Sequence, residues 1–220
     1  MTYQLIVFDW DGTLFDSLAY IVNRVQKVAK IAELTPPDEA LIRSQIGLSV
    51  NESLRRLFPD LSPMQACELI KTYQAYQPDP EDQQPALFNG TKDVLQTLND
   101  TGYWLAIATG KPRAGLDQNL IDLNLNDCFM CTRTADETDS KPNPAMLLEI
   151  LDKLGVMPER ALVVGDTEYD MYMAQNANVD ALAVSYGSHD ADAMTNIDNV
   201  KGVIHDISEL PGWLASQNVD

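Results

Sequence analysis

The chain has 220 residues, 45% of them hydrophobic, and its 33 acidic against 15 basic side chains give a formal charge of −18. That apolar share supports a packed core, in one large domain or in a main domain with a smaller one inserted, and excludes a disordered chain. The charge argues against nucleic acid and anionic membrane as partners, which both demand a basic surface, and no apolar run approaches the ~18 residues of a membrane span.

The N-terminus, MTYQLIVFDWDG, lacks a basic stretch and meets acid by Asp9, unlike a secretory signal. The expectation is a soluble, cytoplasmic protein. Within this opening, Tyr3 to Phe8 is short, β-rich and nearly uninterrupted, as a strand buried on both faces of a parallel sheet should be. Leu18–Leu34 then has a helical period, with Asp16 or Ser17 available as a cap. Pro36-Pro37-Asp38 opens a second helix ending near Gly47, and Ser49-x-x-Glu52 and Ser62-Pro63-x-Gln65 are capping-box patterns for two more. No strand is predicted among them. The polar, proline-rich stretch from Pro78 to Pro85 reads as a linker.

Further apolar runs follow at Tyr103–Thr109, Cys128–Thr132, Ala161–Gly165 and Asp180–Val184, with a helix between Asn143-Pro144 and Gly155. Strands alternating with helices imply βα units. The prediction is therefore an α/β fold: a doubly wound parallel sheet built from residues 1–15 and 83–220, with an all-helical module at 16–82 inserted after the first strand. The three cysteines, Cys67, Cys128 and Cys131, are an odd number and argue against a disulfide framework. The CxxC spacing of Cys128 and Cys131 falls in an apolar run without a second ligand pair, so core packing is expected for both.

Four clusters fall at the C-terminal ends of predicted strands, where open α/β sheets place their ligands. Asp9-Trp10-Asp11-Gly12-Thr13 puts two carboxylates on one side of an extended chain. Asp9 can attack phosphorus, and Asp11 can protonate the leaving oxygen and later deprotonate water. Thr109-Gly110, ahead of Lys111-Pro112, offers a hydroxyl and free backbone N–H groups for phosphoryl oxygens. Lys141, entering the helix near Asn143, can neutralise Asp9 and a transferring phosphoryl group. In Gly165-Asp166-Thr167-Glu168-Tyr169-Asp170, Asp166 suits direct Mg²⁺ ligation and Asp170, one turn on, a supporting role, while Glu168 and Tyr169 read as an ordinary acidic helix start. His189 and His205 lie outside these clusters and read as structural.

With these residues in place the sequence resembles the haloacid dehalogenase superfamily, and within it the phosphoglycolate-phosphatase-like group with a helical cap. Asp9-x-Asp11-Gly12-Thr13-Leu14-Phe15-Asp16-Ser17 is similar to the family's first motif; Thr109, Lys141 and Gly165-Asp166-x-x-x-Asp170 match the second, third and fourth in order. The resemblance spans essentially the whole chain. It implies a Rossmann-like core and Mg²⁺ held by the Asp9 side chain, the Asp11 main-chain carbonyl and Asp166, with Asp170 supporting. The implied reaction is hydrolysis of a small phosphomonoester, phosphoglycolate-like or a sugar phosphate, through an aspartyl-phosphate. A monomer or weak homodimer acting on a small phosphorylated metabolite is expected, with no nucleic acid or membrane partner. Gly110 departs from the pattern, standing where many relatives carry Asn or Asp; the backbone N–H remains but a side-chain contact to the nucleophile is lost.

A sugar phosphomutase shares the whole apparatus and is the alternative within the superfamily. A dehalogenase is disfavoured by Asp11, and a phosphonatase would need a cap lysine such as Lys27 or Lys30 as a Schiff base. Outside the enzymes, a phospho-receiver module uses similar residues but is roughly half this length, and a phosphate-ester-binding protein would retain the fold without turnover. Arg43, Gln45 and Arg55 of the helical segment are candidates to touch the substrate.

Overall fold

A computed structural model of the chain describes residues 2–77, 79 and 84–217. In chain order the elements are β1 (Leu5–Phe8), β2 (Phe15–Asp16), α1 (Leu18–Ile31), α2 (Glu39–Arg43), α3 (Val50–Leu57), α4 (Pro63–Ala75), β3 (Ala86–Leu87) and α5 (Thr91–Asp100). They continue with β4 (Trp104–Thr109), α6 (Arg113–Leu123), β5 (Cys131–Thr134), α7 (Ala145–Leu154), β6 (Ala161–Gly165) and α8 (Glu168–Asn176). The chain closes through β7 (Asp180–Val184), α9 (Ala191–Met194), β8 (Val200–Ile204) and α10 (Leu210–Ser216). No helix among the described residues is long and apolar enough to cross a membrane.

Six strands form one parallel sheet in the order β5-β4-β1-β6-β7-β8. The first strand lies inside the sheet and the chain winds outward from it in both directions. Side-chain alternation sends Ile6, Phe8, Leu105, Ile107, Leu162 and Val164 to one face, where Leu95, Leu98, Leu116 and Leu214 of α5, α6 and α10 cover them. Leu5, Val7, Ala106, Ala108, Val163 and Ala183 face the other side, under Leu147, Ile150, Met171 and Met194 of α7, α8 and α9. Both faces are thus covered, which is why the strands read as apolar runs rather than alternating ones.

The helices between β2 and β3 start largely where the sequence predicts. Asp38 accepts a hydrogen bond from the Leu41 N–H, Ser49 caps Glu52, and Ser62 with Gln65 forms a complete capping box. Among the described residues of this segment no strand separates α1 to α4, and their apolar stripes pack on each other through Val22, Val25, Ile42 and Leu57 and through Val28, Leu54 and Leu69.

Two expectations are corrected. The second helix ends at Arg43 rather than near Gly47, because the chain breaks into turns that bring Gly47 to a φ of 99°. The strand predicted at Cys128–Thr132 runs from Cys131 to Thr134, and the two cysteines join opposite sides of the sheet, Cys128 half-buried on one and Cys131 buried on the other. An antiparallel pairing of Phe15–Asp16 with Ala86–Leu87, too short to be read from periodicity, ties the two crossings of the chain together. The predicted division at 15/16 falls inside β2, whereas 82/83 and residues 78 and 80–83 of the predicted linker lie outside the described residues.

Ile107, fully buried in the interior strand β4, should carry much of this packing. Ile107→Ala is expected to lower the unfolding free energy by about 2–5 kcal/mol in urea denaturation; a cost under about 1 kcal/mol would show that the sheet face is less tightly packed than described.

Candidate active site

Register places the site. Phe8 stands opposite Ile107 of β4 and Val164 of β6, so the residues that follow, Asp9, Thr109 and Asp166, emerge side by side from adjacent strand ends. The Asp9 N–H donates to the Val164 carbonyl at 3.0 Å, extending the ladder to Asp9 itself.

Lys141 is 0% exposed and lies among three buried carboxylates. Its Nζ is 2.9 Å from Asp9 Oδ1 and 2.5 Å from Asp170 Oδ1. Asp166 accepts hydrogen bonds from Thr13 Oγ1 at 2.9 Å and from the Ser188 N–H at 2.8 Å. The remaining Asp170 oxygen, Oδ2, accepts from the Thr167 N–H and hydroxyl, closing a capping box at the start of α8. Asp170 therefore orients Lys141 as much as it faces Asp166. Gly12, with a φ of 88°, passes so close to Asp166 that a Cβ there would collide with its carboxylate.

Asp9, Asp166 and Asp170 each offer an oxygen within 4.8 Å of the others, all buried. Ionised together they would leave two negative charges beyond what Lys141 compensates. Desolvation pushes Asp9 up to about 7 against the pull of Lys141, with Asp170 adding to the rise. The same desolvation, reinforced by Asp9 and Asp170, lifts Asp166 well above the carboxylate range. Burial alone would lower Lys141, but the charges of Asp170 and Asp9 outweigh it and raise it. A hard divalent cation that takes oxygen ligands would supply the missing positive charge, so this donor set fits Mg²⁺.

Asp11 belongs to a different environment. It is half-buried, and its Oδ1 accepts from Ser17 Oγ at 2.7 Å while Lys111 Nζ approaches both oxygens at 3.1 and 3.2 Å. Ser17 sits at the cap position of α1 as predicted, yet its hydroxyl serves Asp11 and makes no cap hydrogen bond. Thr109 is buried and its Oγ1 accepts from the Lys111 N–H at 3.1 Å. Gly110 meets the helical segment: a Cβ there would press on the carbonyls of Gly47 and Leu48. An Asn or Asp would not fit this arrangement, which accounts for the glycine.

Asp9, Asp11, Thr109 and Gly110 line one cavity of about 820 Å³ between the sheet and α1 to α4. Gln45 lines it too. Arg43 instead pairs with Glu39, and Arg55 is exposed and not part of the wall. Lys27 pairs with Asp79 and Lys30 is exposed, so neither enters the cavity. Tyr169, read as ordinary helix start, bridges the two parts: its hydroxyl donates to the Ser44 carbonyl at 3.0 Å and Arg56 lies against its ring. His189 Nδ1 accepts from the Glu168 N–H at the start of α8, a structural place.

Sequence reasoning missed Lys111, Ser17, Thr13 and Ser188 as partners of the site carboxylates. Lys111 sits one residue beyond a named cluster, but its contact with Asp11 spans 100 residues, and no local pattern signals that.

Comparison with known proteins agrees with this geometry. Residues 6–184 match the family described as haloacid dehalogenase-like hydrolase. A phosphoglycolate phosphatase of Rhodospirillum rubrum is 30% identical over 222 residues, covering 96% of this chain and 90% of its own length. A pyrophosphatase, PpaX, of Bacillus cereus is 28% identical and covers 84% of this chain and 85% of its own. Among solved structures, a haloacid dehalogenase-like family hydrolase of Streptococcus pneumoniae superposes with a TM-score of 0.82 at 25% identity, covering 97% of this chain and 99% of its own. From the site residues, the matched span and the shared fold, this chain belongs to the haloacid dehalogenase-like hydrolase family.

Proposed function

We propose that the protein is a magnesium-dependent phosphatase that hydrolyses a small phosphomonoester through an aspartyl-phosphate on Asp9. The observation that carries this reading is the separation of two carboxylates two residues apart. Asp9 is buried against Lys141, whereas Asp11 is held by Ser17 and Lys111, and both open into one cavity. On this reading Asp9 attacks and Asp11 handles the proton. The relatives named phosphoglycolate phosphatase and pyrophosphatase support a small phosphorylated substrate. The charge of −18 argues against nucleic acid, so a small anion must be drawn in by local positive groups; a cytoplasmic setting belongs to the same reading.

In the first step an Asp9 oxygen forms a bond to phosphorus in line with the ester oxygen, whose bond to phosphorus breaks. Asp11 gives its proton to that departing oxygen. Lys141 and the Thr109 hydroxyl with the N–H groups beside it hold charge on the phosphoryl oxygens. In the second step Asp11, now a carboxylate, takes a proton from water as the water oxygen bonds to phosphorus and the Asp9 oxygen leaves. Mg²⁺, bound by Asp9, Asp166 and the Asp11 main-chain carbonyl, would neutralise phosphoryl charge. Residues 16–82 act as a cap: the wall they supply excludes bulk water and selects the group carried by the phosphate.

Phosphate release from a panel of small phosphomonoesters should depend on Mg²⁺ in the wild type and vanish in Asp9→Asn; substantial turnover by the variant would remove Asp9 as nucleophile, and turnover by neither would shift weight to a phosphomutase or binding role. Asp11→Asn should reduce kcat about 10²–10⁴-fold, as expected for loss of a general acid and base, with a smaller effect for esters whose leaving group needs no proton. Mg²⁺ should raise the melting temperature of the wild type by binding the folded state and leave Asp166→Asn unmoved; an equal shift in both proteins would take Asp166 out of the metal site.

A further inference from the structure

We propose that Arg24 binds a second anionic group of the substrate, a carboxylate or a phosphoryl, so that the cavity selects phosphomonoesters with a negative charge at the far end. This rests on the phosphatase reading and concerns what the cap wall recognises.

Arg24 lies on α1, off the apolar stripe of Val22, Val25 and Val28 that packs the helices together, and lines the cavity shared with Asp9 and Asp11. Its guanidinium is held in place without being neutralised. Nη2 donates to the Tyr73 carbonyl at 2.7 Å, and the guanidinium carbon lies 4.3 Å from the centroid of the Tyr73 ring. Those two contacts fix the plane of the fork. Among the described residues the buried Nε has no hydrogen-bond acceptor and no carboxylate lies within ion-pair distance. A buried guanidinium N–H left without an acceptor is costly, and a carboxylate or phosphoryl oxygen is the acceptor that a planar fork matches best.

Charge around the cavity sharpens the point. The basic side chains of its wall are Arg24 and Lys111, and Lys111 is committed to Asp11. Among the described residues the acids of the wall, Asp9, Asp11 and Asp136, repel an incoming anion. The transferred phosphoryl group finds Lys141 at the strand ends; a second anion on the same substrate finds Arg24. Tyr76, just past α4 in the same wall, adds a buried hydroxyl with no partner among the described residues. Sequence periodicity hides all this, because an arginine beside an amphipathic stripe reads as a solvated surface residue.

The test is equilibrium binding by calorimetry to Asp9→Asn protein with Mg²⁺ present, using 2-phosphoglycolate, pyrophosphate and ethyl phosphate, the last lacking the second charge. Adding Arg24→Met should weaken the doubly anionic probe that the protein prefers about 10–100-fold and leave ethyl phosphate within about twofold. The better of the first two probes identifies the anion as carboxylate or phosphoryl. Arg24→Lys should fall between, retaining the charge but losing the fork, and carries the comparison should Arg24→Met not fold. Equal weakening of all three probes, no change on substitution, or no binding of the doubly anionic probes would overturn the proposal. Phosphate release by the wild type is read separately: its absence with the binding pattern intact would remove the phosphatase reading and keep the anion site.

Discussion

The site is organised around one buried ammonium group. Lys141 has no exposed surface and holds Asp9 and Asp170 through a single nitrogen, with Asp166 beside them. A carboxylate at the end of a covered parallel sheet is desolvated, and desolvation favours its neutral form. Lys141 offsets this for Asp9 only in part, leaving it raised to about 7. The surrounding polar groups are then constrained in turn. Thr13 and Ser188 bind Asp166, Thr167 binds Asp170, and Gly12 must lack a side chain for Asp166 to fit. A cluster with more carboxylates than ammonium groups is poised for a cation, so the same electrostatic deficit that raises Asp9 and Asp166 suits the site to a divalent metal.

The helical segment is drawn onto this centre by polar contacts from one stretch of chain. The Ser49 N–H donates to Ser140 Oγ at 2.8 Å, next to Lys141. Ser188 Oγ donates to the Arg43 carbonyl at 2.9 Å, from the residue whose N–H binds Asp166. Tyr169, between Asp166 and Asp170, reaches the Ser44 carbonyl. Residues 43–49 thus touch segments beside Lys141, Asp166 and Asp170, and Gly110 leaves room for the Gly47 and Leu48 carbonyls on the other flank. Side chains on that stretch and on α1 line the same cavity as Asp9.

Most of the sheet was readable from sequence. Leu5–Phe8, Ala161–Gly165 and Asp180–Val184 are apolar because helices cover both faces, and that burial leaves a local imprint. The capping residues Asp38, Ser49 and Ser62 act within three positions of themselves, so their roles are local as well. The strand Cys131–Thr134 was predicted to start three residues and end two residues too early, because its apolar run begins before the pairing with β4 does. The Phe15–Asp16 pairing with Ala86–Leu87 was invisible, since two residues carry no period.

The order of the chemical motifs and the strand ends that carry most of them were determined by the sequence alone, because each motif is short and three of the four directly follow a strand, Lys141 instead preceding α7. Asp9, Asp11, Thr109, Lys141, Asp166 and Asp170 were all legible in that way, and the sheet brings Asp9, Asp166 and Asp170 together around Lys141. What each carboxylate touches was decided only by the tertiary structure. Ser17 turns to Asp11 rather than capping α1, Lys111 folds back on Asp11 across 100 residues, and Arg24 is steadied by Tyr73 in the cavity wall. Desolvation and ion pairing depend on groups that meet from distant parts of the chain, so their partners leave no trace in local spacing.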